Sequence, residues 1–317
     1  MGPALKRVLL TDAIAPAGEE ALSRAVEVVR APDSAPATIR RLAGDFDGIL
    51  IRSKLPDDIF DAAPRVRAVV IHGTGTDLVP VESAAAHGVT VANLPGINAH
   101  SAAEYCAMAM LMLARNIVPI TNGLRSLSWD EARRLGAPAR ELAALTLGIV
   151  GVGAIGSRLA KIARNGFGMR VLGHRRRLER LPGEAEAAPL EDLLRQSDFV
   201  VVACPLTPQT RYLINPETIA KMKRTAWLIN VGRGPVVQET ALIEALREKR
   251  IAGAMLDVYE HYRLEPGHPL FQLDNVILTP HLAAVTQESR ARASVAAADE
   301  MLRILRGERP RNPVTPL

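Results

Sequence analysis

Short apolar runs alternate with stretches of helical spacing along the whole chain. In the first hundred residues the runs fall at 7–11, 26–30, 48–51, 66–71 and 89–92, bounded by polar and turn-forming residues, and read as buried strands. Helices are predicted between them over 16–25, 36–43 and 81–86. Each is opened by a proline or lies just after one, where a fixed φ and a missing N–H suit a first helical turn. This alternation predicts a parallel sheet with helices on its faces. A long helix over 101–116 then carries Ala, Met and Leu on several faces, as a helix buried between layers or domains does. The segment 121–144, with Trp129 and several arginines, leads to a second series of strands at 147–150, 169–173, 199–203, 226–230, 253–258 and 276–278. With helices over 155–164 and 239–249, these predict a six-stranded doubly wound sheet. A last helix over 286–305 has the length to return to the first unit, and Pro310, Pro313 and Pro316 mark a tail after Gly307.

The second series opens on a motif that carries chemistry. Gly151, Gly153 and Gly156 follow the strand at 147–150 in G-x-G-x-x-G spacing and open the helix at 155–164. In that context the first glycine allows the tight turn, the second lets a pyrophosphate approach the backbone, and the third packs helix against strand. The free N–H groups and positive dipole of the helix would face the phosphates. A dinucleotide site selective for NAD places a carboxylate about 20 residues on, against the ribose hydroxyls. Here the strand ends in His174, Arg175, Arg176 and Arg177 instead. A solvated basic turn has the same composition, but guanidinium forks at a position set by the glycines fit a ribose 2′-phosphate, so NADP is expected over NAD.

Composition narrows the rest. At 317 residues the chain holds two domains with proper cores, and 48% hydrophobic with 23% charged residues is ordinary for a soluble globular protein. The net charge of +5 raises nucleic acid as a partner, but aromatics are only 3% and no nucleic-acid motif occurs, so none is expected. Cys106 and Cys204 sit in apolar segments without metal spacing, which predicts a reducing compartment, no disulfide and no metal site. Gly2 begins like a lipidation signal, but Lys6 stands where Ser or Thr is required. The apolar stretch 102–114 falls short of the ~20 residues that span a bilayer. A cytoplasmic protein with no membrane contact is expected.

Three of the predicted strands end in polar groups: Asn230-Val231-Gly232-Arg233-Gly234, Asp257-Val258-Tyr259 and Thr279-Pro280-His281. Ligands of open α/β sheets bind at such carboxyl ends. Arg233 is either a fixed fork for a carboxylate or keto oxygen or a surface arginine in a turn. His281 suits an acid or base near neutral pH, and a structural histidine reads the same from periodicity.

These residues, with Gly73-Thr74-Gly75-Thr76-Asp77, Asn93-Leu94-Pro95-Gly96 and Ala103-Glu104, make the chain resemble the D-isomer-specific 2-hydroxyacid dehydrogenase family over nearly its whole length. The resemblance implies two doubly wound domains, a Rossmann cofactor domain over 99–286 inserted in a flavodoxin-like substrate domain of 1–98 and 287–317. It implies a homodimer that reduces a small 2-keto acid, of the glyoxylate or hydroxypyruvate type, by hydride transfer from NAD(P)H. Arg233 would bind the substrate carboxylate and carbonyl, and His281 would donate the proton. Arg52 or Ser53 and the amides of Gly73, Thr74 and Gly75 would help hold the carboxylate. Thr74, Ala154, Ile155, Arg175, Cys204, Val231, Asp257 and Ala284 would line the cofactor, with Asp257 either orienting the nicotinamide amide or capping its strand. Where the family has a glutamate beside the catalytic histidine, five residues past Asp257, stands Tyr262, while Glu265-Pro266 comes three residues late; the partner of His281 is then either Tyr262 or, if the loop bends, Glu265. Ala283 and Ala284 replace the glycines that usually follow the histidine. A neutral tyrosine offers at most a hydrogen bond where a carboxylate would hold the imidazolium. Two other readings share the fold: a dinucleotide-sensing scaffold like the related corepressors, and a formate or phosphite dehydrogenase.

Overall fold

The computed structural model describes residues 5–177, 179 and 181–315; Gly2, with its lipidation reading, and Pro316 of the tail lie outside the described residues. The chain divides into two compact units, Met1–Asn98 with Val285–Leu317, and Ala99–Ala284.

The first unit is built on parallel strands β1 (Arg7–Leu10), β2 (Glu27–Arg30), β3 (Gly48–Ile51), β4 (Ala68–Ile71) and β5 (Thr90–Ala92) in the order β2-β1-β3-β4-β5. β3 and β4 are buried along their whole length, which is why they read as unbroken apolar runs. Prolines open the helices Pro16–Ser23 and Pro36–Ala43. The closing helix Gln287–Leu305 lies against Pro16–Ser23 so tightly that a Cβ on Gly18 would sit 2.5 Å from the Ser294 carbonyl carbon. Strand order reverses between β1 and β3, and Arg52, Ser53 and the Gly73 to Gly75 loop follow the carboxyl ends of β3 and β4.

His72, just before that loop, hydrogen-bonds the Ser294 hydroxyl at 2.8 Å. Burial, aided by the nearby Arg52 charge, pulls its imidazole down to about 4. An unfolded histidine titrates near ~6.5, so between those values the unfolded chain binds the extra proton. The stability His72 contributes is complete above about 6.5 and is lost as pH falls towards 4. The ring is only partly buried, so the loss is on the order of 2 kcal/mol rather than the full shift. Urea unfolding of wild type and His72→Gln between about pH 7 and about pH 4.5 checks this. The variant is expected to lose less stability on acidification, and parallel profiles would contradict the assignment.

The second unit holds β6 (Thr146–Val150), β7 (Arg170–His174), β8 (Glu186–Ala187), β9 (Phe199–Val202), β10 (Trp227–Asn230), β11 (Gly253–Leu256) and β12 (Val276–Leu278), all parallel, in the order β12-β11-β10-β9-β6-β7-β8. The sheet therefore has seven strands rather than the expected six. β8 has no apolar run to announce it: both residues are exposed, and Glu186 is tied to β7 by the Arg170 guanidinium at 2.9 and 2.8 Å. Side chains alternate between two cores, with Val150, Val200, Leu228 and Leu256 on one face and Ile149, Phe199, Ile229 and Met255 on the other.

The long helix is Ala99–Ala114, and on its first turn Glu104 pairs with His100 at 2.9 Å. The segment 121–144 resolves into the end of the helix Ile117–Ser126, a short helix Trp129–Arg134 capped by Ser128 and Glu131, and a 3-10 turn. The helix expected over 155–164 is α-helical over Ala154–Lys161 and continues as a π-helical turn, Ile162–Gly166. Among the described residues no single helix is long and apolar enough to cross a membrane.

Candidate active site

Strand order in the larger sheet reverses between β6 and β9, and the glycine turn lies there. Gly151 has φ +97°, and a Cβ on it would come within 2.5 Å of the Cys204 nitrogen after β9. A Cβ on Gly156 would meet the Gly151 carbonyl oxygen at 2.8 Å, so helix and turn are in direct contact. Gly153 differs, because nothing lies within 4 Å of its would-be Cβ and the backbone there is open to an approaching group. The helix Ala154–Lys161 begins with no side-chain cap, which leaves the amides of Ala154 and Ile155 directed at that space. These features fit a pyrophosphate. Cys204 forms the back of the turn, and burial pushes its thiol up to about 11, so it serves as a wall rather than a nucleophile.

β7 ends at His174, whose Nδ1 donates to the Ala188 carbonyl at 3.1 Å and fixes the ring. Arg175 is half-buried and has a partner, while Arg176 and Arg177 are exposed. No carboxylate follows β7 directly, so its end presents cationic and imidazole groups as the sequence requires.

The loop after β10 is held from inside. Asn230 is buried; its Oδ1 accepts from the Gly232 amide at 3.1 Å and its Nδ2 donates to the Arg233 carbonyl at 3.2 Å. A Cβ on Gly234 would lie 1.6 Å from the Tyr259 carbonyl oxygen, so only glycine lets the loop dock on the chain after β11. Arg233 is thereby carried on a rigid turn, half-buried, with Nη1 on the Gly232 carbonyl at 2.9 Å. Val231 is buried beneath it.

His281 stands in the left-handed region with φ 57°, an unfavourable conformation for a non-glycine residue. The Asp257 carboxylate holds it there. That buried group accepts from the Thr279 hydroxyl at 2.6 Å, the Leu282 amide at 2.7 Å and the Ala283 amide at 2.8 Å. The Asp257 carbonyl also accepts from the His281 amide at 3.0 Å. Thr279 has one proton and gives it to the carboxylate, so the Tyr105 phenol, 2.6 Å from Thr279 Oγ1, is the donor in that pair. Burial raises the Tyr105 phenol well above its ordinary range, which keeps it a donor. Asp257 thus has the strand-capping role, with both oxygens engaged by the loop that carries His281. Ala284, next along, is partly exposed.

The Tyr262 ring meets His281 edge-on, with centroids 5.9 Å apart. Glu265 makes no hydrogen bond or ion pair with His281 among the described residues; its backbone carbonyl accepts from the His268 amide instead. The His268 ring pairs with Glu239 at 3.2 Å.

In the first unit Arg52 is committed to the β1 loop, with Nη1 on the Ala13 carbonyl at 2.7 Å and Asp12 at 3.7 Å. The Ser53 hydroxyl is buried without a hydrogen-bond partner, as a group kept for a ligand would be. The Gly73 amide is already taken by the Ile71 carbonyl at 2.7 Å, which removes it from the expected set of anion donors. The Thr74 and Gly75 amides have no such partner among the described residues. The Thr74 hydroxyl donates to the Leu94 carbonyl at 3.1 Å. Asn230, Thr279 and Tyr105 are the supporting residues that spacing alone does not assign. Thr279 could have been suspected from its place at a strand end, but Tyr105 is hidden in a helix with apolar residues on several faces.

A parallel sheet with a glycine turn at its switch point defines a dinucleotide-binding protein, and comparison with known proteins narrows the class. The family model described as D-isomer specific 2-hydroxyacid dehydrogenase, NAD binding domain, matches residues 107–283, and the chain belongs to that family. A glyoxylate reductase of Aeropyrum pernix is 38% identical over 319 aligned positions, covering 96% of this chain and 95% of that protein. The crystal structure of an NADPH-dependent glyoxylate/hydroxypyruvate reductase from Sinorhizobium meliloti, in complex with NADP and malonate, is 30% identical with a TM-score of 0.84, over 98% of this chain and 97% of that one. An NAD-dependent formate dehydrogenase from Staphylococcus aureus, 23% identical with a TM-score of 0.88 over 98% of this chain and 99% of that one, shares the fold. The protein is an NAD(P)-dependent oxidoreductase of the 2-hydroxyacid dehydrogenase type.

Proposed function

We propose that this enzyme reduces glyoxylate or hydroxypyruvate to the D-2-hydroxy acid with NADPH. The observation that carries the reading is the Asp257 carboxylate, which fixes the His281 loop on the same edge of the sheet as the glycine turn and the Arg233 loop. When bound, the dinucleotide supplies the hydride that adds to the keto carbon. Negative charge then develops on the carbonyl oxygen, where the Arg233 guanidinium stabilises it and protonated His281 delivers a proton. Arg233 also grips the carboxylate. Val231, Cys204, Asp257 and Ala284 complete the cofactor's surroundings. Tyr262 packs the imidazole by its ring edge and supplies no charge to it.

Support for NADPH comes from His174, Arg175 and Arg176 at the end of β7. A charge-assisted hydrogen bond contributes about 1.5 to 3 kcal/mol, so kcat/KM should favour NADPH over NADH by roughly tenfold or more. Arg175→Ala should erase most of that preference. Initial rates with both cofactors and a panel of glyoxylate, hydroxypyruvate and pyruvate test the reading. Equal use of the cofactors, or an unchanged preference in the variant, would refute NADPH selectivity while leaving reductase activity intact.

We also assign homodimerisation to the second unit, where Leu124, Leu127 and Trp129 form an exposed apolar surface, Trp129 being 69% exposed. Light scattering after size exclusion checks it. The buried free thiols of Cys106 and Cys204 accord with a cytoplasmic setting.

A further inference from the structure

A cavity of about 290 Å³ opens in the second unit at the amino-terminal ends of β10 and β12, the opposite edge from Arg233 and His281. Its wall is the Trp227 indole, which is held in place because Gly253 leaves room for it: a Cβ there would lie 2.2 Å from Trp227 Cζ3. Met112 and Val276 continue the apolar lining. Arg224 and Lys249 also line it, and neither side chain makes a hydrogen bond or ion pair among the described residues. Lys249 is held there by a left-handed backbone, φ 51°, at the end of the helix Glu239–Arg247. Asp274 is the one carboxylate in the lining.

We propose that this cavity binds a small carboxylate bearing an aromatic or branched apolar body, at a site separate from that of the dinucleotide and keto acid. Two cations against one carboxylate leave the cavity with an excess positive charge. Both exposed cations share the cavity lining with Trp227, Met112 and Val276. An anion held there gains charge-assisted hydrogen bonds beside a surface that excludes water on one side. A fixed indole offers an aromatic body an offset or edge contact. The volume is at the low end of small-molecule sites, which run about 300 to 1,000 Å³, so a compact ligand fits and a second dinucleotide does not.

The chain's other tryptophan is Trp129, so Trp129→Phe leaves Trp227 as the sole indole reporter. The protein in its solution assembly, saturated with NADPH, is titrated with phenylacetate, the uncharged phenylacetamide and acetate, followed by Trp227 fluorescence and by calorimetry. Phenylacetate should bind saturably, with phenylacetamide and acetate each roughly tenfold weaker or worse, since one lacks the charge and the other the apolar body. Arg224→Gln with Lys249→Asn should weaken phenylacetate at least roughly tenfold; asparagine is used because it tolerates the left-handed backbone. Asp274→Asn should tighten it severalfold, a gain that a misfolded variant would not give. Absence of saturable binding, equal binding of phenylacetamide, or an unchanged affinity in the Arg224→Gln, Lys249→Asn protein would overturn the proposal.

Discussion

Replacing His281 by alanine should lower kcat by about 10² to 10⁴-fold, the usual contribution of a positioned general acid, while NADPH should still bind. The dinucleotide's phosphates are proposed to lie at the glycine turn and the basic end of β7, which are different elements from the loop that carries His281. Arg233→Ala behaves differently, because its fork is proposed to serve both the ground-state carboxylate and the developing oxyanion. KM for the keto acid should rise and kcat should fall, each by roughly tenfold or more. Arg233→Lys should recover little, since an ammonium is a point charge without the planar fork carried on the loop that Asn230 and Gly234 hold in place. Steady-state kinetics of the three variants, with NADPH binding measured separately, decide the roles. A His281→Ala enzyme with wild-type turnover would remove His281 from the chemistry.

Asp257→Ala should nearly abolish activity by another route. Its carboxylate is the shared acceptor for Thr279, Leu282 and Ala283, and truncation leaves buried donors unpaired at about 1 to 3 kcal/mol each. With that hold gone, the left-handed conformation of His281 loses the side-chain part of its support, and strain of that kind amounts to about 1 to 3 kcal/mol. We expect a loss of several kcal/mol in unfolding free energy and a fall in kcat of at least about 10²-fold in the protein that remains folded. Thr279→Val keeps the shape but removes one donor to the carboxylate, and Tyr105→Phe removes only the donor behind Thr279. Their kcat values should therefore order as wild type, Tyr105→Phe, Thr279→Val, Asp257→Ala, from fastest to slowest. A merely structural network would lower stability in that order and leave kcat of the folded fraction level.

The legibility of this molecule follows the physics of its parts. Parallel strands buried on both faces, such as β3, β4 and β9, appear as continuous apolar runs, so both sheets could be read from the sequence. β8 could not, because it is two exposed residues that pair through backbone and a surface ion pair. The glycine turn was readable because Gly151 and Gly156 are demanded by backbone approach rather than by side-chain chemistry. Arg233 and His281 stand out as polar residues just past apolar strands. Tyr105 does not, since its hydroxyl acts on Thr279 across a distance of 174 residues in sequence, and no local spacing records such a contact. The Gly73 amide shows the converse: the motif suggested an anion donor, but a tight turn onto Ile71 uses it.

The central claim is hydride transfer to the keto carbon of a small 2-keto acid, and the most direct test follows the hydride itself. The enzyme is incubated with NADPH deuterated at the transferable position and with hydroxypyruvate, and the product is examined by NMR and chiral chromatography. The expected product is D-glycerate carrying one deuterium at C2, with no such product from His281→Ala on the same timescale. Tight NADPH binding by wild type with no deuterium delivered to hydroxypyruvate or glyoxylate would contradict it, and would favour the dinucleotide-sensing scaffold instead.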